Sequence, residues 1–372
     1  MKFFFALFTG LFFFSFAFAQ NSYTVSGNVS SEVSGLPMVA ASVFAQNTTL
    51  GTVTDAEGNF KLQLPSGGYD LVITYTGYRT ESMRISNAAG AERITIKLRE
   101  KEKELETVSV VSTNEVADGL AKYGSFFTEE FIGKTANSLL VSVQNPEVLH
   151  FFFSKRKNRL KITATEPLII KNNAFGYNIK YTLDSFTHEY NTQVSTYTGY
   201  PLFEEMQGDS SQKVQWEAAR RLSYSGSLLH FMRSVFNKEL KSQKFEIQFI
   251  AKLNGKDDAF KVKEPYSALN YEKDDSTQTV MIMPNVKDVG VLFSGKRPSA
   301  AYLRDNPGEP SLFRFSLLSF ASKENIVIEQ NGYFYDQNDV SISGYWTWEK
   351  VGDQLPYDYS NNLMIKSLAE EK

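Results

Sequence analysis

The sequence predicts a mainly β protein: an N-terminal seven-stranded Greek-key β-sandwich, then a larger mixed α+β domain that is itself β-rich. Three observations carry this expectation. Residues 22–99 hold short β-type runs at roughly 10-residue spacing, the pattern of an antiparallel sandwich. Dense turn signals punctuate them: Gly35-Leu36-Pro37, Asp55 to Asn59, Pro65-Ser66-Gly67-Gly68 and Gly77-Tyr78. Past residue 107, strand-like alternation is broken only twice by helical spacing.

The chain opens with Met1-Lys2, a nearly unbroken apolar stretch from Phe3 to Phe18, and Ala17-Phe18-Ala19 ahead of Gln20. Charged start, apolar middle and small residues at −3 and −1 are the parts of a secretory signal peptide, expected here over residues 1–19. The apolar stretch, about 16 residues, falls short of the ~20 needed to span a bilayer. No later apolar stretch reaches spanning length, so no transmembrane helix is expected in the mature chain. Exported location follows: periplasmic, outer-membrane-associated or secreted.

The 372 residues include no Cys. That excludes thiol catalysis, disulfides, Cys-based zinc sites and a lipid-modified Cys, and it leans towards a bacterial envelope protein. Formal net charge is −3, with basic residues scattered along the chain. A nucleic-acid partner would call for a basic stripe or a high pI, so that class is set aside. Lys155-Arg156-Lys157, directly after Phe151-Phe152-Phe153, reads as a polar turn behind a buried strand. The 30 Phe and 19 Tyr suit strand cores; exposed aromatic platforms for sugars are the sharper reading.

In the first domain, Tyr23 to Val29, Met38 to Phe44 and Leu50 to Thr54 read as strands. Asn59 to Leu64 alternates strictly, as does Tyr69 to Tyr75, and Glu92 to Leu98 repeats the pattern through Ile94, Ile96 and Leu98. Asp55 and Glu57 read as a hairpin turn, because the further ligands of a calcium loop are absent.

An ordered series of phrases carries a resemblance: Ser26-Gly27-Asn28-Val29, Gly35 to Val43, Gly51 to Phe60, Pro65 to Leu71 and Tyr75-Thr76-Gly77-Tyr78. The stretch 22–99 resembles a carboxypeptidase regulatory-like domain, a transthyretin-like sandwich. The resemblance implies a non-catalytic module. Asn145 to Leu149, Glu166 to Ile170, Phe175 to Tyr177, Arg220 to Ser227, His230 to Arg233 and Leu355 to Tyr359 are similar to a region of regulatory-like-domain proteins of the Bacteroidota. That likeness identifies a lineage and transfers no activity.

Residues 100–106, mostly alternating Glu and Lys, read as a charged linker, with a strand at 105–111 and one α+β domain over 107–372. Receptors with this module continue into a plug and barrel, but 22 strands of about 10 residues each would alone take roughly 220 of the remaining 260 or so, too many to leave room for turns, loops and plug. Helical spacing appears in two places, from Phe126 to Leu140 and in the pair Lys213 to Leu222 and Gly226 to Asn237, with Ser211 and Ser225 as cap candidates. In the last of these, Leu228, Leu229, Phe231, Met232, Val235 and Phe236 share an arc. His230 and Arg233 are therefore expected to face outward.

No catalytic constellation emerges. None of His150, His188 and His230 has zinc-peptidase spacing. Ser225-Gly226-Ser227 lacks the glycine spacing of a nucleophile elbow and reads as a helix cap. No P-loop or dinucleotide fingerprint is present, and no cofactor or metal is expected. Tyr345-Trp346-Thr347-Trp348, if a strand, puts both Trp on one face. Arg220, His230, Arg233, Trp346 and Trp348 are thus the interaction candidates. The reading is a non-catalytic envelope protein, a binding or structural module whose partner is another envelope protein or a polymer such as polysaccharide or peptidoglycan. The alternatives are a hydrolase with a carboxylate-based site acting on a glycan or peptide polymer, and a small membrane barrel.

Overall fold

A computed structural model of the chain describes residues 22–86, 93–101, 114–253, 255–321, 325–335 and 340–360. The expected signal segment, most of the expected linker and the strand expected at 105–111 lie outside these residues.

The N-terminal strands are β1 Ser22–Ser31, β2 Ser42–Ala45, β3 Gly51–Val53, β4 Asn59–Pro65, β5 Tyr69–Thr74, β6 Glu81–Ile85 and β7 Ile94–Leu98. They form the sheets β4-β1-β7 and β3-β2-β5-β6. Alternation dictates the packing: in β4, Phe60, Leu62 and Leu64 are buried while Lys61 and Gln63 are exposed. These meet Val25, Val29 and Leu98 of their own sheet and Val43, Leu71, Ile73 and Ile85 of the other in one core. The expected antiparallel arrangement needs one correction, because β1 pairs with β7 in parallel. The Asp55 turn is local: its Oδ1 accepts from the Glu57 and Asn59 N–H groups at 3.1 and 2.7 Å. The charged run does not begin as a free linker either, since Glu100 bridges Tyr78 and the Lys101 N–H donates to Gly77 O at 2.9 Å.

The rest of the chain builds two further cores. The first lies on a six-stranded sheet of β8 Val141–Val143, β9 Leu149–Ser154, β10 Arg159–Ala164, β11 Leu168–Asn172, β12 Tyr177–Glu189 and β13 Val194–Glu205. Long β12 pairs with β11 and then β10 along one edge and with β13 along the other. Helix α1 (Gly119–Phe131) lays Tyr123, Phe127 and Phe131 on this sheet. It starts earlier than the spacing from Phe126 predicts and stops before Gly133, whose φ of 111° no helix accommodates. The Lys155 run is the β9–β10 turn, as expected.

The second core lies between α3 (Leu228–Phe236) and two antiparallel sheets. One sheet is β15-β14-β18-β19-β21, made of β14 Phe245–Leu253, β15 Lys256–Lys261, β18 Asp288–Phe293, β19 Arg314–Phe320 and β21 Val340–Gly344. The other is β16-β17-β20, made of Glu272–Asp274, Thr279–Ile282 and Ile326–Glu329. Helix α2 (Ser210–Tyr224) precedes α3. Its cap is Asp209, in a capping box with Gln212, rather than Ser211. Ser227, not Ser225, caps α3 by accepting from the His230 N–H at 3.1 Å. Among the described residues all five sheets are open, which departs from a membrane barrel, and no helix is long and apolar enough to cross a membrane.

Candidate ligand cavity at the three-way junction

The sandwich, the six-stranded sheet and the C-terminal segment meet at the turn after β2. Asn47 there has φ 56°, a left-handed conformation that Asn tolerates better than most residues. Its N–H donates to Pro201 O at 2.8 Å and its carbonyl accepts from the Tyr357 N–H at 2.7 Å. The Phe203 N–H reaches Thr48 O at 2.9 Å, and Asp358 takes both the backbone N–H (3.0 Å) and the hydroxyl of Thr49. One turn therefore ties three parts of the chain together.

A second joint forms around Arg84 of β6. Its guanidinium donates to Glu329 at 2.8 Å and Asp70 at 3.3 Å and lies over the rings of Tyr333 and Tyr335. The Tyr333 hydroxyl donates to Asp70 at 2.6 Å. Burial pushes the Glu329 carboxyl above its usual range, against the pull of Arg84.

Between these joints lies a cavity of about 910 Å³. Its walls come from the sandwich turn (Gln46, Asn47), from β12 and β13 (Tyr181, Tyr197, Tyr200), and from the α3 start, the β20 hairpin, β21 and the segment 346–357. Seven aromatic residues take part, counting Tyr333, Phe334, Trp346 and Tyr357. Four charged residues line it, and each has an internal partner. Glu130 accepts from Lys350 at 3.0 Å and Ser195 at 2.8 Å. Burial works to raise the Glu130 pKa, but the Lys350 and Ser195 contacts prevail and hold it low. Glu349 is pushed up to about 7 by burial, although Arg314 donates to it at 3.1 Å. Burial also raises Asp353, each of whose carboxylate oxygens accepts a 2.7 Å bond, one from Thr135 and one from Asn137.

His188, Ser195 and Glu130 superficially resemble a nucleophile triad, but the order is wrong. Catalysis needs the imidazole between hydroxyl and carboxylate. Here the hydroxyl sits between them, donating to Glu130 and meeting His188 Nδ1 at 2.9 Å. His188 is packed edge-on between Phe126 and Tyr190, and burial lowers its pKa. Among the described residues no group of three or more His, Asp or Glu is gathered as a metal ion requires.

The interaction candidates fall in different places. Arg220 is 8% exposed, grips Glu205 with both terminal nitrogens (2.9 and 2.7 Å), donates to Phe175 O at 2.7 Å and covers the Tyr177 ring. His230 and Arg233 do not face outward. His230 is 7% exposed: its Nδ1 accepts from the Gly226 N–H and its Nε2 meets Gln243 Oε1 at 3.0 Å. Arg233 donates at 2.9 Å to each of three carbonyls, those of Asn331, Tyr357 and Tyr359. The opposite side of α3 is not a solvated face, because the C-terminal segment and the β20 hairpin cover it.

The two Trp do not share a strand face. Gly344, at φ 78°, ends β21 and turns Tyr345–Thr347 into a 3-10 helix. Trp346 is buried, its indole N–H on Gly226 O at 2.9 Å, and it forms part of the cavity wall. Trp348 instead lies by Tyr302 on a smaller cleft of about 330 Å³ with Glu129, Asp305 and Glu309. Sequence reasoning passed over Asn47, Glu130, Glu349 and Asp353. No local pattern marks them; their roles arise from contacts between distant segments.

Residues 25–110 match the model of the CarboxypepD_reg-like domain family. Over 110 residues the chain is 32% identical to "TonB-dependent receptor SusC" of Bacteroides thetaiotaomicron, a match covering 30% of this chain and 10% of the receptor. It is 30% identical over 134 residues to "TonB-dependent receptor P39" of Formosa agariphila, covering 33% and 13%. The chain thus spans only about a tenth of the curated receptors it matches. Among solved structures, a DUF3823 family protein from Bacteroides ovatus aligns over 51% of this chain and 83% of its own, at 12% identity and a TM-score of 0.18. The turn and strand phrases at the N-terminus therefore have their family: residues 25–110 carry a carboxypeptidase regulatory-like domain.

Proposed function

We propose that this is a non-catalytic binding protein of the bacterial envelope, exported by its N-terminal segment, whose ligand occupies the junction cavity. The observation that carries the reading is the cavity itself. About 910 Å³ falls within the ~300–1,000 Å³ of small-molecule sites, and three separate parts of the chain converge to build it. Its charged groups are engaged in internal pairs, which suits holding a ligand. The regulatory-like sandwich supplies one wall and a rigid mount. The TonB-dependent receptor relatives support an envelope setting, in the periplasm or at the inner face of the outer membrane, and the ligand would be part of an envelope polymer or protein.

The test is retention from an envelope fraction by immobilised mature protein, compared with Ser343→Trp. Ser343 is exposed on β21 at the cavity wall, so the indole would fill the space without disturbing the core. Retention of a defined polymer or protein by the parent and not by the variant supports the reading. Equal retention by both removes the cavity from it.

Glu349 and Asp353, two cavity carboxylates with raised pKa values, favour one second reading, a carboxylate hydrolase. Against it, Arg314 and the Thr135/Asn137 pair already hold both groups. Release of new chain ends from envelope polymers, abolished by Glu349→Gln, would establish that reading instead.

A further inference from the structure

Asn47 is 5% exposed and lines the cavity, yet its Oδ1 has no hydrogen-bond partner. Its backbone is pinned on both sides by Pro201 and Tyr357, which holds the residue at the cavity wall. The unpartnered oxygen is shut off from water within the cavity wall. A buried polar group without a partner costs about 1–3 kcal/mol, a cost that a bound ligand would offset.

We propose that the cavity takes a neutral, hydroxyl-rich chain, a short oligosaccharide, with the Asn47 amide as an anchoring contact. This deepens the binding reading and rests on it. An ionic ligand needs an unspent counter-charge, and among the described cavity residues all four charged groups are already paired. What remains is neutral: amides such as those of Asn47 and Gln354, the Ser343 hydroxyl, and aromatic rings such as Tyr197, Tyr200 and Trp346. A sugar presents hydroxyls along its rim and carbon-bound hydrogens on its faces, matching both kinds of wall. A peptide offers fewer hydroxyls and carries termini or side-chain charges that would find no partner. A site built around hydrogen bonds to hydroxyls should also discriminate strongly against molecules lacking them.

The experiment titrates the mature protein with neutral hexasaccharides (cello-, malto-, xylo- and mannohexaose) and, separately, with a capped Ala-Ser hexapeptide, following tryptophan fluorescence and calorimetry. At least one hexasaccharide should bind and the peptide should not. Asn47→Gly should weaken that binding about tenfold or more, since one lost hydrogen bond of about 1.4 kcal/mol is tenfold. Glycine accepts φ 56° freely, so the variant should fold; if its melt is altered, Gln354→Ala reports on the same wall. Peptide binding alone overturns the saccharide assignment and leaves the cavity reading standing. Binding by neither probe overturns both, and saccharide binding unaffected by either substitution overturns this anchoring wall.

Discussion

Arg84 and Glu329 meet at 2.8 Å across the boundary between the sandwich and the body of the protein, although 245 positions separate them in the chain. The Glu329 side chain is only 3% exposed, and the guanidinium reaching it is stacked against two tyrosines. A carboxylate shut from water needs that partner, because its unpaired charge cannot be hydrated.

Arg84→Met should therefore destabilise the protein by about 1–3 kcal/mol, read as a lower urea midpoint. Adding Glu329→Met should restore part of the loss, because replacing both partners leaves no orphan charge. A double variant weaker than Arg84→Met alone would show that the pair is not the origin of the effect.

Arg233 gives the second prediction. Arg233→Ala strips donors from the carbonyls of Asn331, Tyr357 and Tyr359, at about 1 kcal/mol each. The melt should fall, and proteolysis should begin within 351–360. Arg233→Lys should not rescue it, since an ammonium lacks the planar fork that reaches three acceptors at once. Met232→Asp should be worse still, placing a charge where the side chain has no exposure.

His230 should make the protein acid-sensitive. Burial holds its pKa below the ordinary 6.5. Its Nδ1 must stay unprotonated to accept from the Gly226 N–H. The unfolded chain protonates first as pH falls through 6.5, so this histidine's contribution is complete above that value and lost below it. Urea midpoints at pH 7.5 and 5.5 should differ more for the parent than for His230→Gln.

Glu349 should act in the opposite direction. Its folded pKa is raised from 4.5 to about 7. As pH climbs from about 4.5 to about 7, the unfolded chain loses this proton while the folded one keeps it, so stability falls across that window. Arg314 and Lys296 limit the fall and Asp353 adds to it. Glu349→Gln should flatten the decline, and a parent and variant with equal slopes would remove Glu349 as its source.

The sandwich was legible because strands such as β4 bury alternate side chains against the neighbouring sheet, as Phe60, Leu62 and Leu64 do. Helix α3 was legible as an amphipathic element, but its apparently polar side was misassigned. His230 and Arg233 carry polar atoms for buried partners 13 to 126 positions away, and helical periodicity cannot distinguish such partners from water. The Trp346 segment failed for another reason. Its alternation suits a strand, but the left-handed Gly344 breaks the extended backbone ahead of it. The cavity was not legible at all, because Asn47, Tyr197 and Tyr357 become neighbours only through tertiary docking.

The segment 351–359 packs Val351, Leu355 and Tyr359 into the core of the six-stranded sheet while Tyr357 and Asp358 clasp the sandwich turn. It follows every other wall of the cavity in the chain. One strap thus serves two structures at once, as a wall of the cavity and as a plug in the sheet's core. Loosening the strap should therefore cost the sheet part of its core in the same step that it opens the cavity, so the two losses should coincide along a urea titration.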